Sequence, residues 1–211
     1  MPKSCYLCGA TDKLLTADHV IPKVLFPQPR PNNLITEDAC EPCNNGFSKD
    51  DALFAVYLSA ALGANAAAKW VWGNKAVTSI LAGSRALATQ LVADSTKKEI
   101  LTEFGIAEVD VLKIPEERLR RILSRIAKGL IRHLDPTFNY IKLEFDLQRL
   151  WPTKDSAELI QEAASKMTYF ERGDCVFRCL YGFTPDEPRH AMFIFIFYDC
   201  VGFIVTGKPV A

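Results

Sequence analysis

Cys5-Tyr6-Leu7-Cys8 and Cys40-Glu41-Pro42-Cys43 are two Cys-x-x-Cys turns separated by 31 residues, Gly9 to Ala39, and they decide how the first quarter of the chain folds. Each turn sets two sulfurs on one side of a tight loop. Two such pairs complete the tetrahedral thiolate shell that zinc prefers. The separation exceeds the ~15–20 residues of an ordinary zinc ribbon, so a folded insert is expected between the knuckles. Residues 1–50 are otherwise loop-rich in Pro, Asn and Gly, and such a segment needs a metal to hold it together. A redox-active Cys-x-x-Cys pair is the weaker reading, because two pairs flanked by Gly and Asn look like knuckles.

The insert carries Thr16-Ala17-Asp18-His19-Val20-Ile21-Pro22 and then Asn32-Asn33-Leu34, and the second knuckle runs directly into Asn44-Asn45-Gly46-Phe47. Singly these are turn residues and a hydrogen-bonded surface histidine. In this order, framed by the two knuckles, they resemble the zinc-containing HNH endonuclease family over about residues 5–50. The resemblance implies a ββα-metal finger. It makes His19 the general base that activates water, and Asp18 a ligand of the catalytic metal. Asn33 becomes the asparagine that braces the loop and orients the histidine, and Asn44 the second metal ligand. Pro22 matches the proline that bends the chain after the catalytic strand. The sequence departs from the family where Asn44 replaces a histidine, where Asn45 competes with it as ligand, and where Phe47 stands in place of a lysine. Lys49 follows two residues later.

Two metals with separate jobs are expected: a structural Zn²⁺ on Cys5, Cys8, Cys40 and Cys43, and a catalytic Mg²⁺ or Mn²⁺ on Asp18 and Asn44. Phosphodiester hydrolysis needs a base for the attacking water, and a neutral imidazole with an ordinary pKa near 6.5 supplies one at cellular pH. Two oxygen donors leave positions on a hard cation for phosphate and water. By resemblance the products carry 5′-phosphate and 3′-hydroxyl ends. The alternative is a non-catalytic zinc finger that docks nucleic acid or protein, with Asp18 and His19 in a hydrogen-bonded turn.

The chain of 211 residues is 49% hydrophobic and 24% charged, too apolar to be disordered, and its formal net charge is zero. Zero charge excludes a generic basic nucleic-acid coat but not a local binding surface. The finger is not basic, with five Lys/Arg against six Asp/Glu in residues 1–50. The helix expected from Pro115 to Leu134 holds six cations against two acids, so Arg121, Arg125 and Lys128 on it, with Lys23 and Arg30 in the finger, are the candidate nucleic-acid contacts. Trp70 and Trp72 are either stacking platforms or core. DNA is the expected partner, and RNA stays open.

The expected fold is α+β: the finger at 1–50, then an accessory region at 51–211, helical to about residue 134 and thereafter built on an antiparallel sheet. Asp50 or Asp51 is expected to cap the helix after the finger, with breaks at Gly83 and Pro115. Leu119, Ile122, Leu123, Ile126, Leu130, Ile131 and Leu134 recur at three- and four-residue steps, one apolar helical stripe. Beyond Asp135-Pro136, Tyr140–Leu147, Cys175–Gly182, His190–Tyr198 and Val201–Thr206 read as strands and Asp155–Tyr169 as a helix. Cys175, Cys179 and Cys200 read as buried small residues, and His133 and His190 as structural. The acidic C-terminal region suits a regulatory partner, and cleavage of two strands by single active sites favours a homodimer. The apolar stretch Ala52–Trp72 contains Ser59, Gly63, Asn65 and Lys69, which favours a packed helix over a membrane span. The N-terminus shows no apolar leader, and the odd cysteine count fits a disulfide framework poorly, so the reading is cytoplasmic.

Overall fold

The computed structural model describes residues 3–102, 105–151, 153–185 and 189–210. The chain is α+β. It starts with an antiparallel hairpin, β1 (Leu15–His19) and β2 (Thr36–Cys40), in the register Asp18↔Glu37 and His19↔Thr36. Two helices follow directly, α1 (Glu41–Asn45) and α2 (Ser48–Ser59). Pro42 stands in the first turn of α1, where its missing N–H costs nothing. Asp50 and Asp51 lie in the first turn of α2 but do not cap it; the N-cap is Phe47.

The apolar stretch after α2 is not one helix. It breaks at Gly63, whose φ of +79° suits glycine, and restarts at the Asn65 N-cap of α3 (Ala66–Val71). A π-helical stretch, Trp72–Leu81, and α4 (Arg85–Asp94) follow, bent by 115° at Gly83-Ser84. Among the described residues no single helix is long and apolar enough to cross a membrane.

The expected helical run over 51–134 is not continuous. A separate hairpin, β3 (Thr96–Thr102) and β4 (Gly105–Val111), interrupts it. The amphipathic stripe then forms α5 (Glu116–Leu134), with Ile122, Leu123, Ile126, Leu130 and Ile131 fully buried.

The C-terminal sheet has five antiparallel strands in the order β5-β9-β8-β7-β6: β5 (Leu143–Leu150), β6 (Thr168–Arg172), β7 (Phe177–Phe183), β8 (Ala191–Phe197) and β9 (Val201–Pro209). β5 starts three residues later than expected. The helix expected to reach Tyr169 is α6 (Lys154–Ala164), and Thr168-Tyr169-Phe170 instead pair with β7 as the edge strand β6. Strand alternation explains the run Ala191-Met-Phe-Ile-Phe-Ile-Phe in β8. Phe193, Phe195 and Phe197 face the main core, while Met192, Ile194 and Ile196 face Ile160 and Ala163 of α6.

The finger and the sheet share one core. Phe54 of α2 meets Phe197 edge-on at 5.2 Å, and Tyr198 Oη donates to the Leu25 carbonyl at 2.6 Å. Tyr198 and Asp199 take positive φ values of 52° and 65° and close the β8–β9 turn without a glycine. Asn65 Nδ2 donates to Asp199 there at 3.1 Å, tying the α3 N-cap to the sheet. At Gly129 of α5 an added Cβ would stand 2.6 Å from both Val20 methyls, so the glycine is what lets α5 lie against the end of β1.

Candidate metal centre and nucleic-acid interface

Cys5 and Cys8 sit on the first loop, Cys40 at the end of β2 and Cys43 in α1. Their four sulfurs lie within 4.8 Å of one another. A zinc tetrahedron with Zn–S arms of ~2.3 Å has edges of about 3.8 Å, and the Cys8–Cys40 sulfur separation is 3.8 Å. That is nearly twice the ~2.05 Å of a disulfide, and all four cysteines are free. Burial raises the Cys5 thiol, but backbone hydrogen bonds around Cys40, Cys8 and Leu7 outweigh it and bring Cys5 down to about 7. Four convergent thiols, with amide support at Cys5 and burial raising Cys43, make a set that fits a thiophilic ion such as zinc.

This cluster closes the chain so that α1 lies against β1. Asn44, next to Cys43, donates from Nδ2 to Thr16 Oγ1 at 3.0 Å and to the Ala17 carbonyl at 3.4 Å. Its amide oxygen takes no protein hydrogen bond among the described residues, whereas Asn45 is exposed. Asp18 is 6% exposed and accepts the Tyr6 hydroxyl on Oδ2 at 2.7 Å. Its Oδ1 takes no protein hydrogen bond among the described residues. Asp18 and Asn44 therefore each keep one free oxygen at the same strand.

His19 closes β1 and is half-buried. Burial lowers its pKa below the ordinary 6.5, and the nearby charges of Lys23 and Arg30 lower it further, outweighing the opposite pull of Asp18. The imidazole is thus neutral at pH 7. Strand alternation sends Asp18 towards the face shared with Val20 and places His19 on the other. Asn33 is exposed and lines a cleft with Phe26, Pro31 and Asp174; it makes no hydrogen bond to His19 among the described residues. The structure thus brings the four cysteines together and hydrogen-bonds Asn44 of α1 to Thr16 and Ala17 of β1, the strand that carries Asp18 and His19 on its two faces, and leaves Asn33 apart.

The expected basic face of α5 is corrected. Arg125 is 1% exposed and forms a two-point ion pair with Asp51, at 2.7 and 3.2 Å. It is a core residue, so it contacts no nucleic acid. Arg121 bonds Asp50 and the Gly46 carbonyl at 3.2 and 2.9 Å, and Arg118 also bonds Asp50. Phe47 lies beneath Arg121 and Arg125, its ring 4.7 and 4.6 Å from their guanidinium carbons. Burial lowers the pKa of Lys128, and Cys43 pulls it the other way. Of the α5 cations, Arg118, Arg121 and Arg125 are therefore paired with Asp50 and Asp51, and Arg120 with Glu116, Asp146 and the Phe145 carbonyl. Lys23 and Arg30 are exposed and within electrostatic reach of His19.

Trp72 packs with Leu53, Val56 and Ala76, and Trp70 lies under Lys75 at 5.3 Å. Cys179 is buried, whereas Cys175 and Cys200 are half-buried. His133 bonds Glu37 of β2 at 3.3 Å. Tyr6, Phe47 and Asp51 are participants that spacing alone did not reveal. Tyr6 had one available signal: an aromatic phenol placed inside a knuckle. Comparison with protein-family models, characterised proteins and solved structures finds no match, so the functional reading rests on the chemistry of the site.

Proposed function

We propose that the chain is a metal-dependent HNH-type endonuclease acting on DNA. One observation carries the reading. The four-cysteine cluster is joined by Asn44 folding back onto Thr16 and Ala17 of β1, the residues that lead into Asp18 and His19, in a hairpin-then-helix arrangement. His19, kept neutral by burial and flanking cations, accepts the proton of the attacking water. Asp18 Oδ1 and the Asn44 amide oxygen would hold a Mg²⁺ or Mn²⁺ ion, which when bound supplies charge neutralisation at the phosphate and leaving oxygen. Lys23 and Arg30 steer the phosphate backbone towards His19.

The burial of Asp18 favours a second reading, a zinc finger that binds without chemistry. Purified protein incubated with supercoiled DNA, with and without Mg²⁺, separates the two. The first reading expects metal-dependent nicking that falls by about 10²- to 10⁴-fold in His19→Ala with zinc content unchanged. A wild type that binds DNA but never cuts it supports the second.

A further inference from the structure

We infer that Tyr6 is a positioning residue: its hydroxyl fixes the Asp18 carboxylate so that one oxygen alone is left to hold a divalent cation. This rests on the nuclease reading of the same site. Tyr6 lies between Cys5 and Cys8, inside the first knuckle, and is fully buried. Its backbone N–H donates to the Asp38 carbonyl at 2.9 Å, fastening the knuckle to β2. Its ring reaches across the hairpin, and its hydroxyl donates to Asp18 Oδ2 at 2.7 Å in a buried bond. Gly129 of α5 brings helix backbone against the same ring, since a Cβ there would stand 3.1 Å from Tyr6 Cε2. Tyr6 is thus gripped at its main chain by β2 and at its ring by α5.

The consequence is chemical. A carboxylate free to rotate about χ2 presents either oxygen, or both, to a cation. A carboxylate with Oδ2 engaged by a neutral phenol keeps its full charge and offers Oδ1 as a single donor. A hard cation that must keep positions for phosphate and water needs a donor of that kind. The same residue links the two sites, through its main chain to the turn that carries Cys5 and Cys8 and through its hydroxyl's hydrogen bond to Asp18. Groups that orient a ligating carboxylate typically contribute about 10- to 100-fold to metal affinity.

Tyr6→Phe removes the hydroxyl and leaves the ring. Mn²⁺ binding is followed by calorimetry on the zinc-loaded 211-residue chain, with zinc content and thermal midpoint measured alongside. The expected result is one zinc per chain in both proteins, with Mn²⁺ affinity lower by about 10- to 100-fold in Tyr6→Phe. In Asp18→Ala background the Tyr6→Phe change has no further effect, because Tyr6 acts through Asp18. Unchanged Mn²⁺ affinity in Tyr6→Phe overturns this inference and leaves the nuclease reading standing. A wild type that binds no Mn²⁺ overturns both. Should Tyr6→Phe lose zinc, a second measurement decides: Mn²⁺ must broaden the Tyr6 ring resonances of the wild type before those of other tyrosines, and must fail to do so in Asp18→Ala. Equal broadening in the two proteins overturns the inference.

Discussion

Arg125 shows how a cation's charge and its use can part company. A helical reading of α5 places it among six positive side chains, yet it grips Asp51 from a site 1% exposed. Removing one partner of a buried pair leaves the other uncompensated, at a cost of about 3–5 kcal/mol. Asp51 is 24% exposed, so the lower end of that range applies. Arg125→Ala is therefore expected to lower stability by about 3 kcal/mol in urea unfolding, and any loss of DNA binding should follow the loss of folded protein. Lys23→Ala is expected to do the reverse. It should leave the urea midpoint in place, weaken DNA binding, and flatten the log–log salt dependence by roughly one unit, the share of one phosphate contact. A salt slope unchanged in Lys23→Ala would place the phosphate surface elsewhere.

At the scale of elements, the joints between helix, finger and sheet carry the strain. Gly129→Ala should gain the ~1 kcal/mol of helix propensity that glycine forgoes. The new methyl, however, would meet the branched, fully buried Val20 at 2.6 Å, which must move with its strand. Overpacking of that kind costs about 1–3 kcal/mol, so the expected sign is a lower thermal midpoint. A higher midpoint would mean that α5 is free to shift away from β1. At the C-cap of α5, Thr137 and Arg189 hold the Asp135 carboxylate below its ordinary 3.8. A depressed folded value stabilises above pH about 4, and the benefit fades as the pH falls through the folded value. Asp135→Asn should be less stable than wild type at pH 7, with the gap closing below pH about 4. A pH series of thermal midpoints checks this. These joints also explain what was legible in sequence. The stripe of α5 and the alternation of β8 were readable because each element's burial follows its own period. Lys97-Lys98-Glu99 has good helix propensity, but it is overruled by pairing with β4, and Thr168–Arg172 becomes a strand because β7 lies beside it. Periodicity gives the apolar face of α5. It does not tell which arginine will meet Asp50 or Asp51, because those partners belong to another helix.

Across the whole molecule the four-cysteine cluster is wired into the common core. Cys5, Tyr6, Val20, Leu25, Phe26 and Cys40 belong to the same buried cluster as α5 and the phenylalanines of β7 and β8. Phe26 also presses on the β6–β7 turn, where a Cβ on Gly173 would stand 2.4 Å from its ring. Knuckle sequence points to the candidate metal ligands but not to this arrangement, since a zinc finger can equally hang from a linker. The distinction is measurable. Structural zinc in small fingers contributes about 10–16 kcal/mol of apparent folding free energy, and a tethered finger would lose that alone while the sheet stayed folded. Here the finger's apolar residues cover α5 and one face of the sheet, so stripping the metal should expose that face as well. Stripping zinc with a strong chelator is therefore expected to lower a single cooperative transition. Zinc release, near-ultraviolet dichroism of the sheet aromatics and far-ultraviolet dichroism should lose their native values together. Two separated transitions, with the aromatic signal intact after the zinc has gone, would show that the sheet region folds independently of the finger.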